Sequence, residues 1–259
     1  MLALPLLVAS SGCAEDGDSP FRFERLAVRD TVTHAVALDG RTLVLQAEMG
    51  RIEVVAYDTA TVATVQVVRT ARGATDGSAR QRLQRGEVVR VDGDDEIVQI
   101  IAPAPQPPGI ETAFTASVPR DAVLHLQLEA GPITVSGASG AFVTALTDAG
   151  VIQATGLAAR TVTFSAEDGT IDADVVSLPP DGRLTATVGS GTVDVRLPSD
   201  AEVSVVAETT TGTVRADGLD ELQRAQTDAG QRVTGRLGTE PAAEVDVRAG
   251  VGRVTVRGR

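Results

Sequence analysis

The stretch Glu129-Ala-Gly-Pro-Ile-Thr-Val-Ser-Gly137 decides the fold, because its pattern recurs along the chain. An acidic residue, a spacer, a glycine and a variable residue are followed by Ile or Val alternating with other residues. We call each copy a rung and the central glycine its rung glycine. The rung glycines are Gly50, Gly131, Gly150, Gly169, Gly191, Gly212 and Gly252. From Gly131 to Gly212 they follow at intervals of 19, 19, 22 and 21 residues, and a period near 20 indicates a repeat architecture.

Each rung is predicted to be a strand, a glycine corner and a second strand. Apolar residues stand seven, five and three positions before the glycine, as in Leu124, Leu126 and Leu128. Others follow it by two and four positions, as in Ile133 and Val135. This period of two gives each strand one inward face, which a single rung cannot bury alone. A parallel β-solenoid and an antiparallel meander both meet the requirement. The absence of Asn-Gly hairpin turns and the small inward residues favour the all-β, parallel β-solenoid.

Three segments depart from the repeat. Residues 71–87 interrupt the strand pattern, and Ser78 is expected to cap a short helix near 78–86. Residues 102–109 are rich in proline and form the best internal boundary. They separate an N-terminal β region at 21–109, with its first rung at Gly50, from repeats at 110–259. Residues 219–243 are interpreted as a degenerate rung or an inserted loop, because Gln223 and Arg232 occupy apolar positions.

The N-terminus has the pattern of an exported lipoprotein. Residues 1–12 form a short apolar run ending in small residues, directly before Cys13, which is the single cysteine. The run is too short to span a bilayer, and it resembles the end of a signal peptide with a bacterial lipobox. We therefore expect residues 1–13 to be a signal peptide and lipobox with Cys13 lipidated, and residues 14–20 to be a tether. Ala14 resembles the residue found in lipoproteins sent to the outer membrane. The alternative is that Cys13 is an incidental thiol.

Charge and composition exclude some classes of function. The net charge is −12 and every basic residue is arginine, which argues against nucleic acid as a partner. His34 and His125 are too few for a histidine metal site, and no cofactor is expected. Acidic residues stand two positions before several rung glycines, namely Glu48, Glu129, Asp148, Glu167 and Asp228. Glu129, Asp148 and Glu167 are weak calcium candidates if they stack, although turn chemistry also explains them.

The whole pattern resembles the bacterial putative-adhesin β-solenoid family. The resemblance covers about residues 30–258, including the Pro-Arg-Asp-Ala lead-in at 119–122 and the serial rungs that follow. It implies a non-enzymatic cell-envelope protein, similar to auto-transporter adhesin heads, with no catalytic residues to carry over. The expected partners are the membrane, through the lipid anchor, and an envelope protein or surface polymer. The alternative is a carbohydrate-binding or carbohydrate-cleaving β-helix protein, against which the absence of Trp and the single Tyr argue.

Overall fold

The computed structural model describes residues 26–85, 90–93, 96–102, 110–218, 220–227 and 230–258. Within them the chain forms one short helix and a sheet of fourteen strands. None of the described helices is long and apolar enough to cross a membrane. In chain order the elements are β1 (Leu26–Val36), β2 (Thr42–Tyr57), β3 (Ala63–Gly73), α1 (Asp76–Arg85), β4 (Arg90–Gly93), β5 (Ile97–Ala102), β6 (Ile110–Pro119), β7 (Val123–Ser136), β8 (Phe142–Leu157), β9 (Thr161–Val175), β10 (Arg183–Leu197), β11 (Val203–Asp217), β12 (Asp220–Thr227), β13 (Gly230–Leu237) and β14 (Ala243–Gly258).

Each long strand is bent at its rung glycine, and we call the parts before and after the glycine its first and second legs. In β7 the first leg buries Leu124, Leu126 and Leu128, and the second buries Ile133 and Val135. The step from Leu128 to Ile133 is odd, so an unbent strand would turn the second set of side chains to the other face. The bend at the corner keeps both apolar faces on one core, as the sequence predicts.

Successive rungs stack side by side in parallel register. The order β2-β7-β8-β9-β10 runs through the middle of the sheet, and rung glycines such as Gly131, Gly150 and Gly169 pair with one another. Gly50 lies next to Gly131 at the end of this row, because β2 lies beside β7 and a Cβ on Gly131 would be 2.0 Å from the Gly50 carbonyl oxygen. The structure therefore confirms an all-β chain built on a mostly parallel sheet. Antiparallel pairs occur towards the two ends, at β1 with β3, β3 with β6, β4 with β5, β11 with β13 and β12 with β13.

The C-terminal end of the stack departs from chain order. Strand β14 lies between β10 and β11 and pairs in parallel with both, so Gly252 lies between Gly191 and Gly212. Strand β11 therefore sits one place away from β10, and the last strand fills the place between them.

The interpretation of residues 219–243 was wrong in both of its forms. They are neither a parallel rung nor a loop, because β12 and β13 form an antiparallel hairpin and β13 pairs with the first leg of β11. In this register Val233 and Leu237 face inward and Arg232 faces solvent. Arg232 therefore lies on the outer face of the sheet and interrupts no inward column.

Strands β5 and β6 both lie against β2, one on each of its legs. Thr42–Ala47 of β2 pairs with Ile97–Ala102, and Gly50–Tyr57 pairs with residues 112–119. The prolines at 103, 105, 107 and 108 lie outside the described residues. The predicted boundary after residue 109 thus falls between two strands that share a neighbour.

The short helix expected near 78–86 is confirmed as α1. Its N-terminal cap is Thr75 rather than Ser78, because the Thr75 hydroxyl accepts the Ser78 backbone N–H at 3.1 Å. The Ser78 hydroxyl in turn accepts the Thr75 N–H at 3.1 Å, which makes a reciprocal capping box. Leu83 of the helix packs with Ala71 and Ile110 in a small second core.

Candidate interaction surface

The acidic residues before the rung glycines line one outer edge of the corner. Glu129, Asp148 and Glu167 occupy equivalent positions on adjacent strands and are exposed. Gly189 takes the same position on the next strand, so the acidic row ends there. Among the described residues, no group of three or more His, Cys, Asp or Glu side chains is arranged to hold a metal ion. Calcium binding by these three carboxylates stays a prediction, and Asp228 lies outside the described residues.

The two histidines occupy different environments. His125 lies on the outer face of β7, half-buried between Leu124 and Leu126, which face the core. His34 lies on β1 opposite the buried Val65, and its Nε2 atom is buried without a hydrogen-bond partner in the described part of the chain. Neither histidine belongs to a metal-binding group of the described residues.

The outer side of the first legs carries a broad surface almost free of charge. Six adjacent strands, in the order β5-β2-β7-β8-β9-β10, each present three outward residues in matching register. We call this surface the neutral face, and Arg183 at its margin is its one Asp, Glu or Arg residue. Its members are Ile97, Gln99, Ile101, Thr42, Val44, Gln46, Val123, His125, Gln127, Phe142, Thr144, Leu146, Thr161, Thr163, Ser165, Arg183, Thr185 and Thr187.

The neutral face is continuous, because its side chains stand on one side of a parallel ladder. Five strand spacings of about 4.8 Å and two steps of about 6.6 Å make it about 24 Å by 13 Å. Phe142 is 53 % exposed, although large apolar side chains are usually covered in a folded protein. The surface combines apolar side chains with hydroxyl and amide groups, and it can therefore contact a partner without desolvating charge.

The outer side of the second legs is charged from β9 to β11. Arg196 lies 3.2 Å from Asp172, and Arg257 lies 3.1 Å from Asp194, so that these ion pairs cross neighbouring strands. Arg215 contacts Asp217 at 2.8 Å on the last of these strands. Charges paired in this way are largely satisfied within the chain.

Charged residues also border the neutral face on β14. Asp246 accepts two hydrogen bonds from Arg248, at 2.9 and 2.7 Å. These hydrogen bonds and the attraction between the charges raise the pKa of Arg248. The neutral face ends at this charged strand, beyond β10.

Sequence reasoning identified the corner residues and missed the neutral face. The signal was present eight, six and four positions before each rung glycine, where β7, β8 and β9 carry no Asp, Glu or Arg. Inward apolar alternation is strong along each strand, whereas this signal is visible only when the outward positions of different rungs are aligned.

Comparison with known proteins identifies the fold but no family. No family model and no curated protein matches this chain. A solved putative cell adhesion protein from Clostridium sporogenes is 14 % identical, with a TM-score of 0.56 over 90 % of this chain and 100 % of that one. Putative adhesins from Bacteroides fragilis and Parabacteroides distasonis are 11 % and 9 % identical, with TM-scores of 0.25 and 0.27. They cover 88 % and 89 % of this chain, and 97 % of each of their own. At these identities the likeness to the Clostridium structure shows a shared fold alone.

Proposed function

We propose that this chain is a non-enzymatic, adhesin-like or scaffold protein of the bacterial cell envelope that binds a partner through the neutral face. The observation that carries the proposal is the run of six adjacent strands whose outward residues are uncharged except Arg183. In a chain of net charge −12, this is a surface that a partner can cover at low electrostatic cost. The resemblance to one solved structure, described as a putative cell adhesion protein, supports the same function by analogy.

The stacked rungs suit broad and repetitive contact. Equivalent residues recur at about 4.8 Å from strand to strand, so an elongated partner meets similar groups along its length. An enzyme instead needs titratable groups with distinct roles gathered in one pocket. The outward Asp172 and Asp194 lie within ion pairs with arginines, which is a structural use of carboxylates.

We also infer that the rungs wind as a parallel β-solenoid. The segments that connect the rungs support this winding, because their backbones are hydrogen-bonded to one another. Ser139 N–H donates to Arg120 O at 2.8 Å, Ala158 N–H to Ala138 O at 2.9 Å, and Arg183 N–H to Arg160 O at 2.8 Å. A solenoid requires this contact between connectors, so a side chain added at Gly140 should destabilise the protein.

The envelope location rests on the N-terminal sequence. Cys13 lies outside the described residues, and the lipid anchor is proposed from the apolar run, the small residues and the single cysteine that follows them. A lipid on Cys13 and a tether at 14–20 would hold the sheet close to a membrane, with the outer membrane as the proposed site.

Two substitutions on one strand test the binding surface. Thr144→Arg places a charge in the neutral face, whereas Gln153→Arg places the same charge on the outer face of the second leg of β8. We expect the first change to lower binding of labelled protein to isolated cell envelopes at least tenfold, because the guanidinium must be desolvated at the interface. The second should leave binding within twofold of the unsubstituted protein.

Either of two results would count against the proposal. Equal loss with both variants would mean that binding follows net charge, and no loss with either would place the interface elsewhere. Release of sugar from envelope polysaccharides, abolished by a single Asp→Asn or Glu→Gln change, would instead favour the carbohydrate-cleaving alternative.

A further inference from the structure

A groove of about 650 Å³ lies beside the corner of β2, β6 and β7, on the side of the second legs. It is separate from the neutral face, which lies on the first legs. Its lining combines apolar side chains with two arginines and one glutamate, and the residues used below are Arg29, Met49, Arg51, Val68, Glu111 and Pro132. The volume falls in the range of sites that hold small organic ligands.

The floor of the groove lies where one ladder of the sheet is interrupted. Between β2 and β7 the paired residues are Met49 with Ala130 and Ile52 with Ile133, and no pair involves Gly50 or Arg51. Pro132 stands opposite this gap and has no backbone N–H to donate. The next ladder runs through the same corner, pairing Pro132 with Val151. Proline follows no other rung glycine, so the missing backbone N–H after the glycine is particular to the corner of β7.

The walls of the groove are apolar, and Met49 is 50 % exposed within them. Val68 and Pro132 complete this lining from β3 and β7. A flexible thioether beside a proline and a valine offers an adaptable surface to an apolar group. Water in contact with these side chains would be released when such a group binds.

The uncompensated charge in the groove is positive. Arg29 and Arg51 are both exposed, and neither forms an ion pair with any residue that the structure describes. Glu111 is already engaged, since one carboxylate oxygen lies 3.4 Å from Arg72. Arg29 and Arg51 stand on β1 and β2, which are separated by β3 and β6, so their backbones are about 14 Å apart across the strands. The two guanidinium groups therefore approach the groove from opposite sides.

We propose that this groove binds a small organic anion that has a carboxylate or phosphate head and an unbranched apolar body. The head would bind Arg29 and Arg51, because guanidinium groups donate paired hydrogen bonds to carboxylate and phosphate oxygens. The body would lie along Met49, Val68 and Pro132. Octanoate and octyl phosphate share this chemistry, and they distinguish the two kinds of head.

Calorimetric titration of the full chain tests the site, with both amphiphiles kept below their micelle-forming concentrations. We expect at least one of octanoate and octyl phosphate to bind, with octanol and inorganic phosphate at least tenfold weaker. Arg29→Gln and Arg51→Gln should each weaken binding about tenfold, which corresponds to 1.4 kcal/mol. Arg253→Gln is the matched control, because Arg253 follows Gly252 as Arg51 follows Gly50, and it should bind like the unsubstituted protein.

Several outcomes would overturn the proposal. They are failure of both amphiphiles to bind, equal binding of inorganic phosphate and octyl phosphate, and a loss in the Arg253 variant as large as that in the Arg51 variant. Circular dichroism checks that the variants are folded. If they are not folded, the unsubstituted protein still tests the proposal. Binding through two arginines should weaken as sodium chloride rises from about 50 to about 500 mM, because the added salt screens the attraction between the arginines and the anion.

Discussion

At the scale of single residues, the fold depends on which side of the sheet a side chain faces. Ile171 is fully buried, with Ile152 and Val193 beside it on the neighbouring strands. Thr170, one position earlier, is partly exposed on the outer side. A side chain introduced at position 171 is therefore buried in the core, whereas one introduced at position 170 remains partly in solvent.

This difference predicts unequal effects of the same substitution. Ile171→Asp should lower the free energy of unfolding by on the order of 5 kcal/mol, because it removes packed methyl groups and buries a carboxylate without a partner. Thr170→Asp should change it by about 1 kcal/mol or less. Urea denaturation measures both values. Equal losses would contradict the alternation on which the fold rests.

At the scale of elements, the connectors are as tightly placed as the strands. A Cβ on Gly140 would lie 2.1 Å from the carbonyl oxygen of Ala122, which belongs to the connector of the preceding rung. The φ angle of Gly140 is not positive, so the obstacle is the neighbouring backbone rather than the local conformation. Gly77 in α1 offers a contrast, since the nearest atom to an added Cβ is 3.9 Å away.

The two glycines therefore make a matched pair of tests. Gly140→Ala should destabilise the protein by about 3 kcal/mol, because one connector must move away from the next. Gly77→Ala should be neutral or stabilise by about 0.5 kcal/mol, since alanine favours the helix. Thermal unfolding of both variants measures the difference. A tolerated alanine at Gly140 would show that the connectors are not in contact, against the solenoid.

The sequence predicts the bent strands well and the order of the strands poorly. Apolar alternation around Gly131 reports which side chains face inward, because burial requires it at every rung. The sequence pattern does not indicate which strands become neighbours in the sheet. The residues around Gly252 follow the same pattern as the other rungs, although Gly252 lies between Gly191 and Gly212. The position of Arg232 was predicted wrongly for a related reason: the register of the β12–β13 hairpin decides which face of the sheet it occupies. The groove between Arg29 and Arg51 could not be predicted from the sequence, because it depends on which distant strands lie side by side.

At the scale of the whole molecule, the charge is unevenly distributed. The chain carries a net charge of −12, yet the neutral face is nearly free of charge, whereas the outer side of the second legs from β9 to β11 carries ion pairs. An acidic protein tethered near a membrane with anionic lipids is repelled from that surface. Such repulsion acts on the charged parts of the molecule, so the neutral face is the side that could approach the surface at the lowest electrostatic cost.

The anchor itself predicts where the molecule is found. The unsubstituted protein should sediment with membranes, and Cys13→Ser should remain in the soluble fraction, because the serine cannot carry the lipid. Fractionation followed by immunodetection measures the distribution, and the C13S variant should retain the same circular dichroism. A variant that still sediments with membranes would mean that Cys13 is an incidental thiol.

The place of β14 between β10 and β11 has a consequence for the order in which the protein can mature. Ribosomes make β14 after every other described strand, yet its two neighbours meet only through it. A nascent chain that emerges N-terminus first can assemble β2 through β10, but β11 lacks its parallel partner until the last described residues arrive. Translation or export arrested shortly before residue 243 would therefore leave β10 and β11 with unpaired backbone edges and part of the apolar core uncovered, a target for quality-control proteases.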